Sequence, residues 1–496
     1  MKRLFPGFVL AVFVAYLGAE MVSPRASSGF NVAGFGRLPV MMDGRLQPID
    51  SVARRALLQI NGEVTIPLET TNPWQFRVPT LSATEWLLEL MAKPDAADKR
   101  KVFHIGDAAL LNAIELKPTA RAGVSDYSFS DLRPKLTKIG KETERVSKLK
   151  AGDRKPWEHE LLTLRNSIVT YERFKNSIQP NSLMQQRARW QPIKYDFAAL
   201  AGQYHADLQI GVQAAINRIH GGEEKLDKAI EERMRLFARP FMGVESAALF
   251  AVIPPSDPAG GRETWRNMGA VIVDSARTGA LPEPIGHYAV MSSAYAQGRT
   301  DIFNNQVARY RAWLLGHRLG PEVSKARSEV LFNVFQPLVR ATAIYLVALV
   351  LVVLSWLKRS TALYRSALAL VLLACALHTT GVLFDMMLQG RPPVTNWYSG
   401  IIFAGWAVVL LAGLVEIWGR NGIGLAAGAL AGLGAIVAAH SLAPGGGPAL
   451  LRFAIDIPYV AALTPVLLAA IASHDARPRQ VAVVHRVNPP AQSAVA

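Results

Sequence analysis

Residues 390–400 read GRPPVTNWYSG, and on either side lies an apolar run long enough to cross a bilayer, 366–388 before it and 399–418 after it. Proline fixes φ and donates no backbone hydrogen bond, so Pro392 and Pro393 end the preceding helix and hold a stiff, extended connector. Trp397 and Tyr398 each combine an apolar ring with a polar edge, which suits the boundary between water and lipid. The stretch therefore predicts a shaped loop on a membrane surface, and with it a fold of membrane-crossing helices.

Further runs extend the pattern outward. The segments near 338–357, 423–440 and 453–473 also approach the roughly 20 residues that a helix needs to span hydrocarbon. Residues 4–20, LFPGFVLAVFVAYLGAE, form another run behind Lys2 and Arg3, whereas 24–335 is mixed and polar. Half of the 496 residues are hydrophobic yet 19% are charged, and the two properties are segregated along the chain. The expected organisation is an N-terminal anchor over 1–23, a domain over 24–335, five spans over 336–475 and a tail over 476–496. The fold class is mainly α: an integral membrane protein with about six transmembrane helices and a large, mainly helical extracytoplasmic domain.

Basic residues in short loops stay on the cytoplasmic side. Lys2 and Arg3 place the N-terminus inside and 24–335 outside; Lys358, Arg359 and Arg365, then Arg420, then Arg477, Arg479 and Arg486 each fall inside in turn. GRPPVTNWYSG then faces outward, as does HSLAPGGGPALLR at 440–452, where Arg452 dissents. The first run also fits a cleaved signal peptide, but Leu17 stands where a cleavage site near Ala19 prefers a small residue, which favours a retained anchor.

A net charge of +16 would suit nucleic acid, but an exported domain rarely meets any, so no nucleic-acid partner is expected. The densest basic stretch, RPKLTKIGKETERVSKLKAGDRK at 133–155, reads first as a solvated helix face and second as a contact for anionic lipid or an acidic partner. Cys375 is the only cysteine and lies inside a span, which excludes a disulfide framework or thiol pair within the chain. Ten widely scattered histidines give no local metal-ligand spacing, and no Gly-rich phosphate loop or nucleophile elbow occurs.

Within 24–335 the patterns are helical. In FGRLPVMMDGRLQPIDSVARRALLQINGE, the MDGR turn separates a short strand-like piece from a helix that starts near Pro48 and carries Val52, Leu57, Leu58 and Ile60 on its apolar side. Ser82 and Glu85 have capping-box spacing ahead of WLLELMA. Trp157, Leu161, Leu164, Ile168 and Tyr171 recur at intervals of four and three, the mark of an amphipathic helix. Glycine and proline at 253–262, IPPSDPAGGR, mark a loop.

Three stretches carry a resemblance. GRPPVTNWYSGIIFAGW (390–406) resembles the outward loop and following span of the cytochrome c assembly family, the system II (Ccs type) membrane proteins that move haem and attach it to apocytochrome c. LPVMMDGRLQPIDSVARRALLQINGE (38–63) resembles a segment of fused members of that system, and FNVFQPLVRATAIYLVALVLVVLSWL (332–357) resembles the join where their outer domain meets the next span. The resemblance implies a bacterial cytoplasmic-membrane protein with its large domain on the periplasmic side, haem as cofactor and apocytochrome c as partner. It also implies a Trp-rich outward segment flanked by histidines. The ten tryptophans here form no cluster, and beyond about residue 443 the pattern is lost, so the expectation is a chain cut short, as by a frameshift.

His378 is an ionisable side chain inside a predicted span, where such groups face the protein interior and often serve function. It is a candidate haem ligand, with a helix-to-helix hydrogen bond to a neighbouring hydroxyl as the leading alternative. His440, at the outer end of a span, is a second candidate haem contact, and Arg391 a candidate propionate partner whose simpler role is a pair with Asp385. Gly390, Pro392, Pro393, Asn396, Trp397 and Tyr398 form the expected partner loop, with Asn396 and Tyr398 first of all shaping the loop itself. Catalytic residues are not identifiable, and no metal site is expected. The covalent chemistry of the family joins haem vinyl groups to thiols of another protein, so this chain would act by positioning. It is expected to be inactive alone and to need a second chain bearing the Trp-rich segment. Rival readings are a non-catalytic membrane scaffold, one half of a split maturation complex, or an unrelated transporter or sensor.

Overall fold

Met42 and Arg45 pair across Asp43 and Gly44, both of which take positive φ, 53° and 69°. An Asp-Gly pair in that conformation is a two-residue hairpin turn. In the computed structural model, which describes residues 5–19, 29–68, 80–119, 125–180, 197–220, 227–255, 265–389, 392, 394 and 397–442, the turn joins β1 (Pro39–Met42) to β2 (Arg45–Pro48). The sequence placed a helix directly after the turn; a second strand intervenes, because Asp-Gly favours closing a hairpin. Pro48, with φ −73° and ψ 154°, then precedes the helix Ile49–Asn61.

The chain is mainly helical. A short apolar helix, α1 (Phe5–Ala19), comes first, followed in the polar region by α2 (Ile49–Asn61), α3 (Ala83–Ala92), α4 (Leu136–Ser147) and α5 (Pro156–Lys175). Then come α6 (Phe197–Ile219), α7 (Lys228–Ala247), α8 (Met268–Thr278), α9 (Glu283–Ala296), α10 (Thr300–Gly316) and α11 (Gly320–Phe335). Two further antiparallel pairs, β3 (Thr65–Pro67) with β4 (Thr80–Ser82) and β5 (Lys101–Ile105) with β6 (Ser125–Ser128), edge the helices. Ser82 caps α3 by accepting from the Glu85 N–H at 3.2 Å.

The core of this region forms where the periodic positions meet. Leu161, Leu164, Ile168 and Tyr171 of α5 are buried with Val52, Leu57 and Ile60 of α2 and with Trp86 of α3. The Tyr171 ring stacks on Phe129 at 5.1 Å, and its hydroxyl donates to buried Asp98, which also accepts from Lys175 at 2.6 and 2.8 Å. A buried carboxylate so satisfied is tolerable; left alone it would be costly.

Among the described residues, four helices are long and apolar enough to cross a membrane: α12 (Pro337–Leu357, reached without a loop from α11), α13 (Thr361–Gln389), α14 (Trp397–Gly419) and α15 (Ile423–Leu442). They make this a membrane-associated protein. The expected run at 453–473 and the tail at 476–496 lie outside the described residues. Gln336 breaks α11 from α12 with a left-handed φ of 44°, and Pro337 opens α12. Small residues let α14 and α15 approach closely: a Cβ on Gly405 would lie 2.2 Å from that of Ala435, and one on Gly424 would lie 2.5 Å from the Ala412 carbonyl oxygen. Val9, Phe13 and Leu17 of α1 join the core of this bundle, and buried Arg340 of α12 donates to the Leu17 carbonyl at 3.2 Å.

Candidate functional site

Alternation of α12–α15 brings the start of α12, the end of α13, the start of α14 and the end of α15 to one end of the bundle, the end that the polar domain occupies. His378 lies within this half, fully buried. Its Nε2 is 3.1 Å from the Ile402 carbonyl of α14 and therefore carries the proton; its Nδ1 is 3.5 Å from the Tyr345 hydroxyl of α12, which can donate to it. His378 thus ties three helices together with both ring nitrogens. One turn away, Trp406 donates its indole N–H to Thr379 at 2.8 Å.

Nearer the end, Asp385 of α13 accepts from Ser399 of α14 at 2.7 Å. Arg391, its expected partner, lies outside the described residues, as do Gly390, Pro393 and Asn396. Helix α13 stops at Gln389, just before the proline pair, and Pro392, Val394 and Trp397 are exposed. Tyr398 turns inward, its ring edge-on to His440 of α15 with centroids 5.8 Å apart. His440 donates Nδ1–H to the Ile436 carbonyl one turn back at 2.9 Å, while Nε2 has no hydrogen-bond partner among the described residues. Val382, Ile402 and Ala439 form the apolar floor, with Phe403 and Trp406 beside them.

These two histidines differ in how free their ring nitrogens are for the haem ligation expected from the sequence. An axial imidazole needs one open nitrogen and a second held by an acceptor. His440 has that arrangement, with Nδ1 held and Nε2 open. His378 would have to release a bond to α12 or α14 first. Among the described residues no group of three or more His, Cys, Asp or Glu could hold a metal ion directly.

A second polar assembly sits where α11 meets the β1–β2 hairpin. Arg45 donates to buried Glu329, and Ser51 donates to the same carboxylate oxygen at 2.6 Å. Asn333, one turn on, donates to Ser51 at 2.8 Å and to Asp50 at 3.1 Å; Asp50 also accepts from Arg54 at 2.8 Å and from Thr84 at 3.0 Å. Phe332 of α11 stacks on Phe384 of α13 at 4.6 Å, with the rings 4° from parallel, which carries the joint on to the membrane helices. None of these residues was singled out from the sequence. A signal existed: paired charges in DGRLQPIDSVARR on one side, and Glu329 and Asn333 in an otherwise apolar approach to a span on the other.

Glu416 was also missed, although a carboxylate inside a span is itself a flag. It is buried near the far end of α14 and accepts from Gly422 N at 2.9 Å, Gly424 N at 3.0 Å and the Tyr364 hydroxyl at 2.7 Å. Those are the orphan donors at the N-terminus of α15, so Glu416 is a cap that joins two spans.

No protein-family model matches the chain, and no curated protein matches it.

Proposed function

We propose that this protein is a cytochrome c biogenesis component that assists haem delivery and attachment to apocytochrome c at the outer face of a bacterial cytoplasmic membrane. In this proposal residues 24–335 are periplasmic, six spans cross the membrane, and the loop at 390–400 belongs to a docking surface. One observation carries the proposal. Two of the stretches that resemble the cytochrome c assembly family lie nearly 300 positions apart, and they meet where Asn333 of the second donates to Asp50 and Ser51 of the first; Glu329, three residues before the second stretch begins, adds acceptance from Arg45 and Ser51. Two short resemblances arising by chance have no reason to meet in one part-buried polar network. The third stretch lies at the same end of the bundle, where Tyr398 meets His440.

The role is positioning rather than bond-making. His440 would offer haem an axial nitrogen, and haem would bring the reactive vinyl groups. His378 would keep α12, α13 and α14 in register. A second chain with the Trp-rich segment would complete the haem surface.

The test is expression in a host deleted for its own maturation system, with an apocytochrome reporter, alone and together with a Trp-rich partner chain. Covalent haem on the reporter is expected only with the partner. Stable insertion of both chains without any haem attachment would sink the proposal.

A further inference from the structure

At the end of the bundle away from the polar domain, two short turns reverse the chain, 358–360 between α12 and α13 and 420–422 between α14 and α15. Side chains lock them together. Trp356 donates its indole N–H to the Asn421 carbonyl at 2.7 Å, and Tyr364 donates to Glu416 at 2.7 Å. Four cations, Lys358, Arg359, Arg365 and Arg420, stand on or beside these joined turns. Among the described residues Glu416 is the one carboxylate on these turns, and it is taken up by the Gly422, Gly424 and Leu425 N–H groups. Arg359, Arg365 and Arg420 form no ion pair among the described residues.

Arg359 and Arg420 both take left-handed backbone angles, φ 45° and 47°, at the ends of α12 and α14, as Arg318 and Gln336 do after helices of the polar region. Glycine fills such a position without strain. One further observation separates these turns from a merely solvated basic loop, and that is their depth. Trp397 and Trp418, 86% and 88% exposed, stand at opposite ends of α14, about 30 Å apart at 1.5 Å per residue, which matches the thickness of bilayer hydrocarbon. The far turns therefore lie at headgroup level, where Trp418 and Trp356 mark the interface.

We infer that the joined turns bind the phosphate headgroup of an anionic phospholipid, with Arg359, Arg365 and Arg420 as its charged partners. The binding stabilises the bundle at the end opposite the polar domain, independently of any role in cytochrome c maturation.

The test uses the full chain in nanodiscs of phosphatidylcholine alone and of phosphatidylcholine with phosphatidylglycerol, with thermal unfolding as the readout. The anionic lipid is expected to raise Tm by several degrees. The double variant Arg359→Gly/Arg420→Gly should melt no lower than the native chain in phosphatidylcholine, since glycine suits both positions, yet lose at least half of the gain. If that variant inserts poorly, Arg365→Gln alone must reduce the gain. Equal Tm in the two lipids, a full gain retained by the variants, or the same gain from inorganic phosphate in phosphatidylcholine would each overturn the inference.

Discussion

Arg45 and Glu329 lie 284 positions apart in the chain, and the Arg45 guanidinium donates to the Glu329 carboxylate at the point where the polar domain meets the membrane bundle. Glu329 is almost fully buried and belongs to α11, which runs into the first long span; Arg45 opens β2, directly after the hairpin turn. The pair therefore fixes the orientation of the hairpin against the rod that enters the membrane. Ser51 on the same carboxylate, and Asn333 on Asp50 and Ser51, make the joint directional rather than merely attractive.

Removing the acceptor tests that joint. Glu329→Ala leaves the Arg45 side chain, about a quarter exposed, without its counter-charge and Ser51 without its acceptor. A loss of about 2 kcal/mol is expected, less than for a fully buried pair because water can reach Arg45. Glu144→Ala, which removes a pair exposed on both sides, should cost less than about 0.5 kcal/mol. Denaturant unfolding of the two variants in one detergent gives the comparison, and equal losses would show that the joint adds nothing beyond an exposed pair.

The close approach of α14 and α15 predicts a position-specific intolerance. A Cβ on Gly424 would meet the Ala412 carbonyl oxygen at 2.5 Å and the Glu416 backbone nitrogen at 2.9 Å, so backbone must move. Gly424→Ala should cost about 1–3 kcal/mol through overpacking. Gly434→Ala, ten positions along the same helix, meets nothing within 4 Å and should be neutral or slightly stabilising. Melting temperatures in detergent check the ordering, and a neutral Gly424→Ala would mean that the helices are further apart than described.

Much of this architecture was readable from periodicity. Leu161, Leu164, Ile168 and Tyr171 repeat at helical intervals and all are buried on one side of α5, and the apolar runs from 338 to 440 became α12–α15. β2 was not readable, because its four residues show no inside-outside alternation and three are buried in succession. The site was legible only in part. His378 stood out because an imidazole in hydrocarbon needs a partner, but Tyr345 and Ile402 are 33 and 24 positions away, and helix rotation decides whether they meet it. The ties between 45–51 and 329–333 depend on how the whole domain folds back, which no local pattern encodes.

Acid should weaken the polar domain through His287. This side chain of α9 is buried, Gln306 donates to its Nδ1 at 2.7 Å, and Glu283 lies 3.8 Å from its Nε2. Burial pushes its pKa below the usual 6.5; Glu283 pulls it up and Arg309 pushes it further down. The unfolded chain therefore takes up this proton at a higher pH than the folded one. The stabilising contribution is complete above pH 6.5 and is lost as pH falls toward the lowered folded value. The drop in Tm between pH 7.5 and pH 5 should shrink in His287→Gln, and an unchanged drop would clear His287 of the effect.

Orientation is testable without function. In the proposed topology the basic residues at 358–365 and 420 face the cytoplasm and 24–335 lies outside. An alkaline phosphatase fusion near residue 300 should be active and one near residue 420 inactive. The reverse pattern would refute the topology.

The two histidines should separate cleanly when each is replaced. His378→Ala removes hydrogen bonds to α12 and α14 and leaves a cavity in the span core. Interhelical hydrogen bonds in membranes are worth about 0.6 kcal/mol on average, so with the cavity the cost should be about 2–3 kcal/mol. His440→Ala loses only a bond to the preceding turn of its own helix and an edge contact with Tyr398, and its stability should change by less than about 1 kcal/mol. Haem handling should show the opposite order. If the protein handles haem as proposed, the open Nε2 of His440 is the nitrogen able to ligate iron without breaking the bundle, so His440→Ala should lower the Soret absorbance of protein purified with a Trp-rich chain of the proposed kind. His378→Gln, which can keep one interhelical bond, should retain most of it. Loss of the Soret band in His378→Gln with no effect of His440→Ala would reverse the assignment and make His378 the ligand, at the expense of its bonds to Tyr345 and Ile402.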